Sequence, residues 1–355
     1  MSALSRRGYS RRGLLCVAAG LPLAATLATP CVARAETESA IRGHQGKKIT
    51  LKMGSSQPTH TQNAHTVFFD AFAAELTTKT KGDVGAIFYG DSQLGPEDKY
   101  PNQINSGALD MMMPISVWAP IVPEVGVLTM GFLFNSLEQL GTVMDGNAGQ
   151  LLKDIYKQKT HAEILGWCFT FGARNVLTKT PITTPADFHG RKIRVLPSPT
   201  FVQTFKLLGA DPVPMSFNEV YTSLQTGVID GLEHDPSTIL QFKFYEVAKN
   251  LTLTQHIFDP QAPVISDLTM RRLSDAERQA VRQAAASAVL NQRQKAAGEA
   301  QQSLDALKQS GIRMIEIDRA ALADEVKPLW QSFTDQHPAS KPVLQAILKA
   351  TGRTL

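Results

Sequence analysis

Cysteine is scarce in this chain of 355 residues, which limits the ways in which the fold can be stabilised. There are three cysteines, and Cys16 and Cys31 both lie within the first 35 residues. If that segment is removed, Cys168 remains alone and no internal disulfide can form. The aromatic neighbours of this cysteine, Trp167 and Phe169, favour a buried structural thiol over a reactive one.

Short motifs of common enzymatic chemistries are also absent. The sequence contains no Gly-x-Ser-x-Gly, no phosphate-binding loop, no Gly-x-Gly-x-x-Gly and no Cys-x-x-Cys. The eight histidines are scattered, and His60 and His65 are five residues apart, which is not the spacing of a helical metal pair. We therefore expect neither an enzyme nor a resident cofactor. An exported enzyme that folds around a cofactor is the alternative.

Outside its first segment the chain lacks an excess of charge of either sign. Residues 1–35 hold five arginines and no acidic residue, so they account for the formal net charge of +4. The remaining residues carry 31 basic and 32 acidic side chains, a net charge of −1. No basic field is left to attract nucleic acid or an anionic membrane surface, so nucleic acid is not an expected partner.

Residues 1–35 have the features of a targeting signal that is absent from the mature protein. Ser-Arg-Arg-Gly-Leu-Leu at 10–15 resembles a twin-arginine signal, and the apolar stretch at 14–28 is too short and interrupted for a membrane span. Ala-Arg-Ala at 33–35 has the small-x-small pattern of a cleavage site. We predict export to the periplasm by the twin-arginine pathway, with a Sec-type signal as the alternative.

Residues 190–236 carry the clearest secondary-structure pattern. Ser216 and Glu219 have the spacing of a capping box, and Gly227 is placed to end the helix that they begin. Alternating strands and helices predict a mostly parallel sheet that is covered by helices on both faces. The predicted elements are a strand at 192–195, a helix at 200–208, an extended piece at 211–214, a helix at 216–226 and a strand at 228–230.

Arg194 is the most informative residue of this stretch, because Pro197 and Pro199 place it near the carboxyl end of its predicted strand. In the middle of such a strand an arginine would bury a charge without a partner. At the carboxyl end it faces the crevice in which open α/β sheets bind ligands. There a guanidinium can hold a carboxylate through two parallel hydrogen bonds. The alternative is an exposed arginine that binds nothing.

The rest of the chain predicts two α/β domains. Extended stretches at 164–177 and 248–269 are suited to cross between them. Ser274 and Glu277 form a second capping-box pattern, and the helix that begins there extends to about residue 309. At ~1.5 Å per residue this helix is roughly 50 Å long, enough to span both domains. The predicted boundaries are residues 48–168 plus about 258–290 for domain one, and residues 169–257 plus about 300–350 for domain two.

Three sequence blocks resemble one family. They are Gly-Arg-Lys-Ile-Arg-Val at 190–195, Leu-Gly-Ala-Asp-Pro-Val-Pro-Met at 208–215, and Glu-Val-Tyr-Thr-Ser-Leu-Gln-Thr-Gly-Val-Ile-Asp-Gly at 219–231. They are similar to signature blocks of the DctP-like solute receptors of tripartite ATP-independent periplasmic (TRAP) transporters, over residues 48 to about 335. The resemblance implies an α/β, two-lobed fold like that of periplasmic binding proteins, with crossover strands and a long spanning helix. It also implies capture of a small organic acid and its delivery to the permease subunits of a TRAP transporter.

The resemblance and the residue types together suggest a set of ligand-binding candidates. Arg194 is the carboxylate clamp, whereas Arg174 either reaches the crevice or supports it from behind. Glu233 is a possible cation ligand beside the solute, although no metal site is predicted. The full set is Arg194, Arg174, Phe171, Asn218, Glu233, His234 and Asp235 from domain two, and Gln62, Asn63, Ser116 and Trp118 from domain one.

Three alternatives remain open at this level. His234 stands where family members often carry an asparagine or an aromatic residue, and it can simply bond its own loop. Asn218, in the first turn of its predicted helix, can face solvent. A receptor that presents its ligand to a signalling protein, instead of a permease, would use the same pocket.

Overall fold

A computed structural model describes residues 41–42 and 48–355 of the protein. The predicted signal peptide, residues 1–35, lies outside the described residues, so its presence and export route stay predictions. Among the described residues, no helix combines the length and the apolar character that a membrane span requires.

The described chain alternates strands and helices along most of its length. The strands are β1 (Ile41–Arg42), β2 (Ile49–Gly54), β3 (Val84–Tyr89), β4 (Met111–Met112), β5 (Ala162–Ile164), β6 (Cys168–Phe169), β7 (Arg174–Thr178), β8 (Lys192–Val195), β9 (Asp211–Pro214), β10 (Gly231–His234), β11 (Asn250–Ile257), β12 (Pro260–Gln261), β13 (Val264–Ser266) and β14 (Arg313–Ile315). The helices are α1 (Ala64–Lys79), α2 (Tyr100–Ser106), α3 (Leu137–Asp145), α4 (Asn147–Lys159), α5 (Pro199–Leu207), α6 (Val220–Thr226), α7 (Pro236–Gln241), α8 (Asp267–Arg272), α9 (Asp275–Gln309), α10 (Arg319–Val326), α11 (Pro328–Gln336) and α12 (Lys341–Thr351).

All of these strands except β6 and β12 form two six-stranded sheets, one in each lobe. The first has the order β1-β3-β2-β4-β13-β5 and the second has the order β14-β11-β7-β10-β8-β9. In the described part of the first sheet, β1 and β13 run against the other four strands, and in the second sheet β7 alone is reversed. The predicted mostly parallel order is therefore confirmed, apart from those reversed strands.

Two chain crossings join the lobes, at the stretches where the sequence predicted them. The first leaves β5 in sheet one, passes through β6 and enters sheet two as β7, whereas the second returns from β11 through β12 to β13. The short strands β6 and β12 pair with each other in antiparallel fashion midway. The two connections thus form one hydrogen-bonded ribbon, around which the lobes can hinge.

Helix α9 spans the two lobes, as its length predicts. It begins at a capping box between Ser274 and Glu277, and Gly311, in the left-handed conformation at φ 79°, follows its end. Alanines on its buried face allow it to pack closely against the phenylalanines of α1 in lobe one, and further along it contacts α7 in lobe two. The two-lobed α/β architecture is confirmed, whereas the residue boundaries proposed for the domains stay a prediction.

Three local predictions were wrong. Ser216 does not cap a helix; its hydroxyl donates to Asp98 Oδ1 at 3.2 Å, and the segment begins as a 3-10 turn. The strand expected at 228–230 begins at Gly231, because the backbone there pairs with β7 on one side and β8 on the other. The sequence near the C-terminus also predicts a helix at 319–335, but the structure divides it at Pro328, which has no amide hydrogen to donate to the preceding turn.

Candidate ligand-binding cleft

A cleft of about 750 Å³, including the space at its mouth, lies between the two lobes. It is built at the carboxyl ends of strands from both sheets: β2 and β4 in lobe one, and β8, β9 and β10 in lobe two. This is the position at which open α/β sheets bind ligands. The residues that line the cleft include Ser56, Asn63, His65, Glu97, Asp98, Ser116, Phe171, Arg174, Arg194, Phe217, His234, Asp235, Asp259 and Gln261.

The guanidinium of Arg194 is buried in this cleft, and no carboxylate of the described residues pairs with it. Its side chain is 1% exposed. Nε and Nη2 donate to the Met215 carbonyl at 3.1 and 2.9 Å, while Nη1 finds no partner among the described residues. Burial lowers the pKa of this guanidinium to about 10, and the positive charge of Arg174 acts in the same direction, against Glu233 and Glu97. The group remains charged at neutral pH and has a free donor in the cleft.

The guanidinium of Arg174 is equally buried but fully engaged. Its Nε and Nη2 donate to the two carboxylate oxygens of Glu233 at 2.5 and 2.8 Å, and Nη1 donates to Asp259 Oδ2 at 3.2 Å. Burial opposes charge on both partners, but their attraction prevails: it raises the pKa of Arg174 and lowers that of Glu233 to about 2. Arg174 therefore supports the cleft floor and has little capacity left for a ligand.

Asp259 shares this cation and carries a free acceptor. Its Oδ2 accepts from Arg174 and from Gln261 Nε2 at 3.3 Å, whereas the buried Oδ1 has no partner among the described residues. Burial raises the pKa of Asp259 to about 7, the charge of Glu233 adds to this effect, and Arg174 opposes it. Two carboxylates thus compete for one guanidinium, and Asp259 is the one that titrates near neutral pH.

Further acidic groups face the cleft from both lobes. Glu97 accepts a hydrogen bond from the Ser56 hydroxyl, and burial raises the pKa of its carboxyl. Asp235 lies beside His234, with 2.7 Å between its Oδ2 and the histidine Nδ1. Together with Asp98, these carboxylates can accept hydrogen bonds from the hydroxyl groups of a ligand.

His65 is a neutral member of the wall. Burial lowers its pKa to about 4. Its Nδ1 lies 2.7 Å from the Ser55 hydroxyl and its Nε2 lies 3.2 Å from Gln261 Oε1, an oxygen that can only accept. Hence Nε2 donates to Gln261, which connects lobe one to Asp259 and Arg174 through side-chain hydrogen bonds.

Hydrogen bonds cross the mouth of the cleft and hold the lobes together. Gln241, on α7 of lobe two, donates to the Gln62 carbonyl at 2.7 Å and accepts from the Thr61 hydroxyl at 2.9 Å. The bond from Ser216 to Asp98 joins the lobes at another point. These contacts depend on the closed arrangement of the lobes.

The structure brings most of the predicted binding residues to the cleft. Arg194, Asn63, Ser116, Phe171, Arg174, His234 and Asp235 all line it. Asn63 has a structural task as well, since its Oδ1 caps α1 by accepting from two backbone amides. His234 and Asp235 come from the end of β10 and the residue after it, not from the loop that the sequence predicted.

Four predicted residues lie elsewhere, which corrects the expectation for each. Trp118 is fully buried behind the wall, packed edge-on against Tyr156 with 4.9 Å between the ring centroids. Gln62 and Asn218 are exposed at the surface and do not line the cleft. Glu233 points into the core, where Arg174 occupies both of its oxygens, which leaves it unsuited to a cation beside the ligand. Among the described residues, no group of three His, Cys, Asp or Glu side chains is placed to hold a metal ion.

Sequence reasoning missed several residues of the wall. Ser56 follows the carboxyl end of β2, so the rule that singled out Arg194 would have found it. Glu97 and Asp98 precede α2, and their sequence carries no comparable signal. Asp259 and Gln261 belong to the second crossing, whose position in the cleft depends on how the two lobes meet.

Residues 54–336 match the family model of bacterial extracellular solute-binding proteins, family 7, also named DctP. The chain belongs to this family. It is thus a DctP-type solute-binding protein, of a family whose members bind solutes and are not enzymes.

Individual members of the DctP family are similar over most of their length. The 2,3-diketo-L-gulonate-binding periplasmic protein YiaO of Escherichia coli is 33% identical over 276 residues, which cover 77% of this chain and 84% of that protein. A TRAP periplasmic solute-binding protein of Chromohalobacter salexigens with bound D-glucuronate superimposes with a TM-score of 0.80 at 31% identity, covering 84% of this chain and 99% of that chain. One of Roseobacter denitrificans with bound L-galactonate gives 0.80 at 30% identity, covering 86% of this chain and all of the other.

Proposed function

We propose that this protein is the periplasmic receptor of a TRAP transporter and that its ligand is a sugar acid. The observation that carries the proposal is Arg194, a buried cation that has no carboxylate partner among the described residues and an unused Nη1 in an interlobe cleft. Burying such a charge is costly unless an anion pairs with it. A ligand carboxylate bound between the lobes supplies that anion.

Other groups that line the cleft fit the rest of a sugar acid. Hydroxyl groups are hydrogen-bond donors, and Glu97, Asp98 and Asp235 supply acceptors around the cavity. Phe217, whose ring centroid lies 5.6 Å from the Arg194 guanidinium carbon, offers an apolar face against which a carbon skeleton can pack. One cation and several acceptors form a pattern that suits one carboxylate and several hydroxyls.

The relatives support this choice of ligand class. The two solved structures hold glucuronate and galactonate, and the Escherichia coli relative is named for a diketo derivative of gulonate. Each of these ligands combines a single carboxylate with a hydroxylated or keto body. Membership of the family supports two further parts of the proposal, namely delivery of the ligand to a membrane permease and a periplasmic location.

A thermal-shift screen tests the ligand class directly. We expect glucuronate, galacturonate or galactonate to raise the melting temperature of the mature receptor, because a ligand that binds only the native state stabilises it. Glucose and galactose are the matched controls, since they lack the carboxylate. Equal shifts with the neutral sugars would contradict the proposal, and parallel runs with and without divalent cations establish whether a cation takes part.

The export route has its own test. Replacing Arg11 and Arg12 together by lysine is expected to retain the precursor in the cytoplasm, because the twin-arginine pathway requires the arginine pair. Normal amounts of mature protein in the periplasm would instead indicate a Sec-type signal.

A further inference from the structure

Two guanidinium groups that lack a carboxylate partner among the described residues lie outside the ligand cleft. Arg319, at the start of α10, and Arg353, just after α12, line one surface crevice together with Phe132, Phe134 and Asn135. Both arginines are partly buried. Arg353 also packs over the ring of Trp330, with 5.7 Å from its guanidinium carbon to the ring centroid. The crevice therefore combines two cations with aromatic walls.

The hydrogen bonds of these arginines leave several donors unused. Arg319 Nε donates to the Thr254 carbonyl at 3.2 Å, and Arg353 Nη2 donates to the side-chain oxygen of Asn135. Arg353 Nε is buried and has no partner in the described part of the chain. Neither guanidinium has a carboxylate within 4 Å among those residues, whereas Arg282 and Arg293 on α9 are both paired with one.

The electrostatics of the crevice are unfavourable without an anion. Burial lowers the pKa of Arg353, and the positive charge of Arg319 lowers it further. Burial also lowers the pKa of Arg319, against the smaller effect of Glu316. Two like charges are thus held near each other in a partly desolvated place, where an oxyanion would relieve both the repulsion and the unmet donors.

We propose that Arg319 and Arg353 form a second binding site, which takes the phosphate group of a small molecule. Phosphate carries a charge between about −1.5 and −2 near pH 7 and has several strong acceptor oxygens, so it matches two guanidinium groups better than a single carboxylate does. The planar fork of each arginine can donate two parallel hydrogen bonds to such an oxyanion. The site is separate from the cleft, since the two cavities share no lining residue.

Calorimetric titration of the full mature receptor with inorganic phosphate, at constant ionic strength, tests this site. The Arg194→Ala variant serves as the starting protein, because it removes the unpaired cation of the cleft. We expect saturable binding in it, weakened about tenfold or more by adding Arg319→Gln or Arg353→Gln, a loss of ~1.4 kcal/mol. Arg313→Gln is the matched control: Arg313 is exposed on β14 outside the crevice, and its replacement removes the same charge without changing phosphate affinity.

Further variants and ligands distinguish a specific phosphate site from a general effect of charge or a loss of fold. Arg353→Lys keeps the charge but loses the fork, and it should bind phosphate less tightly than the parent and more tightly than Arg353→Gln. Comparing inorganic phosphate with glycerol phosphate distinguishes the free ion from a phosphate ester; binding of either one supports the site. Absence of saturable binding of both, or equal weakening by Arg313→Gln, would overturn the proposal. Circular dichroism and the melting temperature of each variant establish that a loss of binding is not a loss of fold.

Discussion

Arg174 and Arg194 lie on the two strands that flank β10, and both are almost completely buried. Arg174 is held by Glu233 and Asp259, and their attraction raises its pKa. Within the described residues, Arg194 bonds only a backbone carbonyl, and burial lowers its pKa to about 10. The two arginines are thus equally buried, but within the described residues only Arg174 has carboxylate partners. A buried arginine indicates a ligand site only when its anion is missing from the chain.

The largest effect on stability is expected from replacing Arg174, the arginine that has carboxylate partners. Arg174→Met leaves Glu233 buried without its cation and Asp259 with only Gln261 as a donor, a loss of about 3–5 kcal/mol in the free energy of unfolding. Urea denaturation of the ligand-free protein measures it. Arg194→Met is the matched control and should not lower the free energy of unfolding, because it removes a buried charge that has no carboxylate partner among the described residues. Similar losses of unfolding free energy in the two variants would show that Arg174 and Arg194 do not differ in their contribution to stability.

The reverse order is expected for ligand affinity. Arg194→Ala removes the partner of a desolvated carboxylate, a loss of about 2–5 kcal/mol, which is roughly thirty- to several-thousand-fold at ~1.4 kcal/mol per decade. Arg194→Lys should recover only part of it, since it lacks the planar fork. Calorimetric titration with the sugar acid found in the screen measures both variants. Binding of Arg194→Ala within about threefold of the parent would show that Arg194 is not the clamp.

A smaller effect on ligand affinity is expected from pH, through the ionisation of Asp259. The pKa of Asp259 is raised to about 7 by burial, so its carboxyl is mostly neutral at pH 6 and mostly ionised at pH 8. Ionisation places a second negative charge near an anionic ligand, so affinity should fall as pH rises through 7, by at most about tenfold per pH unit for one proton. Asp259→Asn should bind with little pH dependence across this window. A variant that keeps the full pH dependence would assign the titration to another group, and Glu97, whose pKa burial also raises, is the next to replace.

The smallest effect is expected at Trp118, which packs in the core against Tyr156 and does not line the cleft. Trp118→Phe should leave the ligand affinity within about twofold, ~0.4 kcal/mol, although it lowers stability by creating a cavity. Fluorescence titration measures the ligand affinity of this variant, with Trp167 and Trp330 as the remaining fluorescent residues. Disappearance of the ligand response in this variant would mean that Trp118 contacts the ligand after all.

Local patterns were sufficient for most of the elements and for Arg194. Strand β8 and helix α9 have the predicted bounds, because alternation of apolar residues, a capping box and a terminating glycine each act within a few neighbouring residues. The position of Arg194 at a strand's carboxyl end also follows from local sequence. Local sequence does not distinguish Trp118 from Ser116, which are only two residues apart. Trp118 packs in the core, whereas Ser116 lines the cleft.

By itself, the sequence determined the two-lobed α/β architecture, the crossings between the lobes and the arginine at the carboxyl end of β8. Only the tertiary structure decided which buried charged side chains have a partner of opposite charge. Glu233 and Asp259 are 59 and 85 residues from Arg174 along the chain, and both meet it at the floor of the cleft, whereas no acidic side chain reaches Arg194 within the described residues. Pairing of this kind depends on distances between strands from different parts of the chain, and composition and periodicity carry no information about those distances.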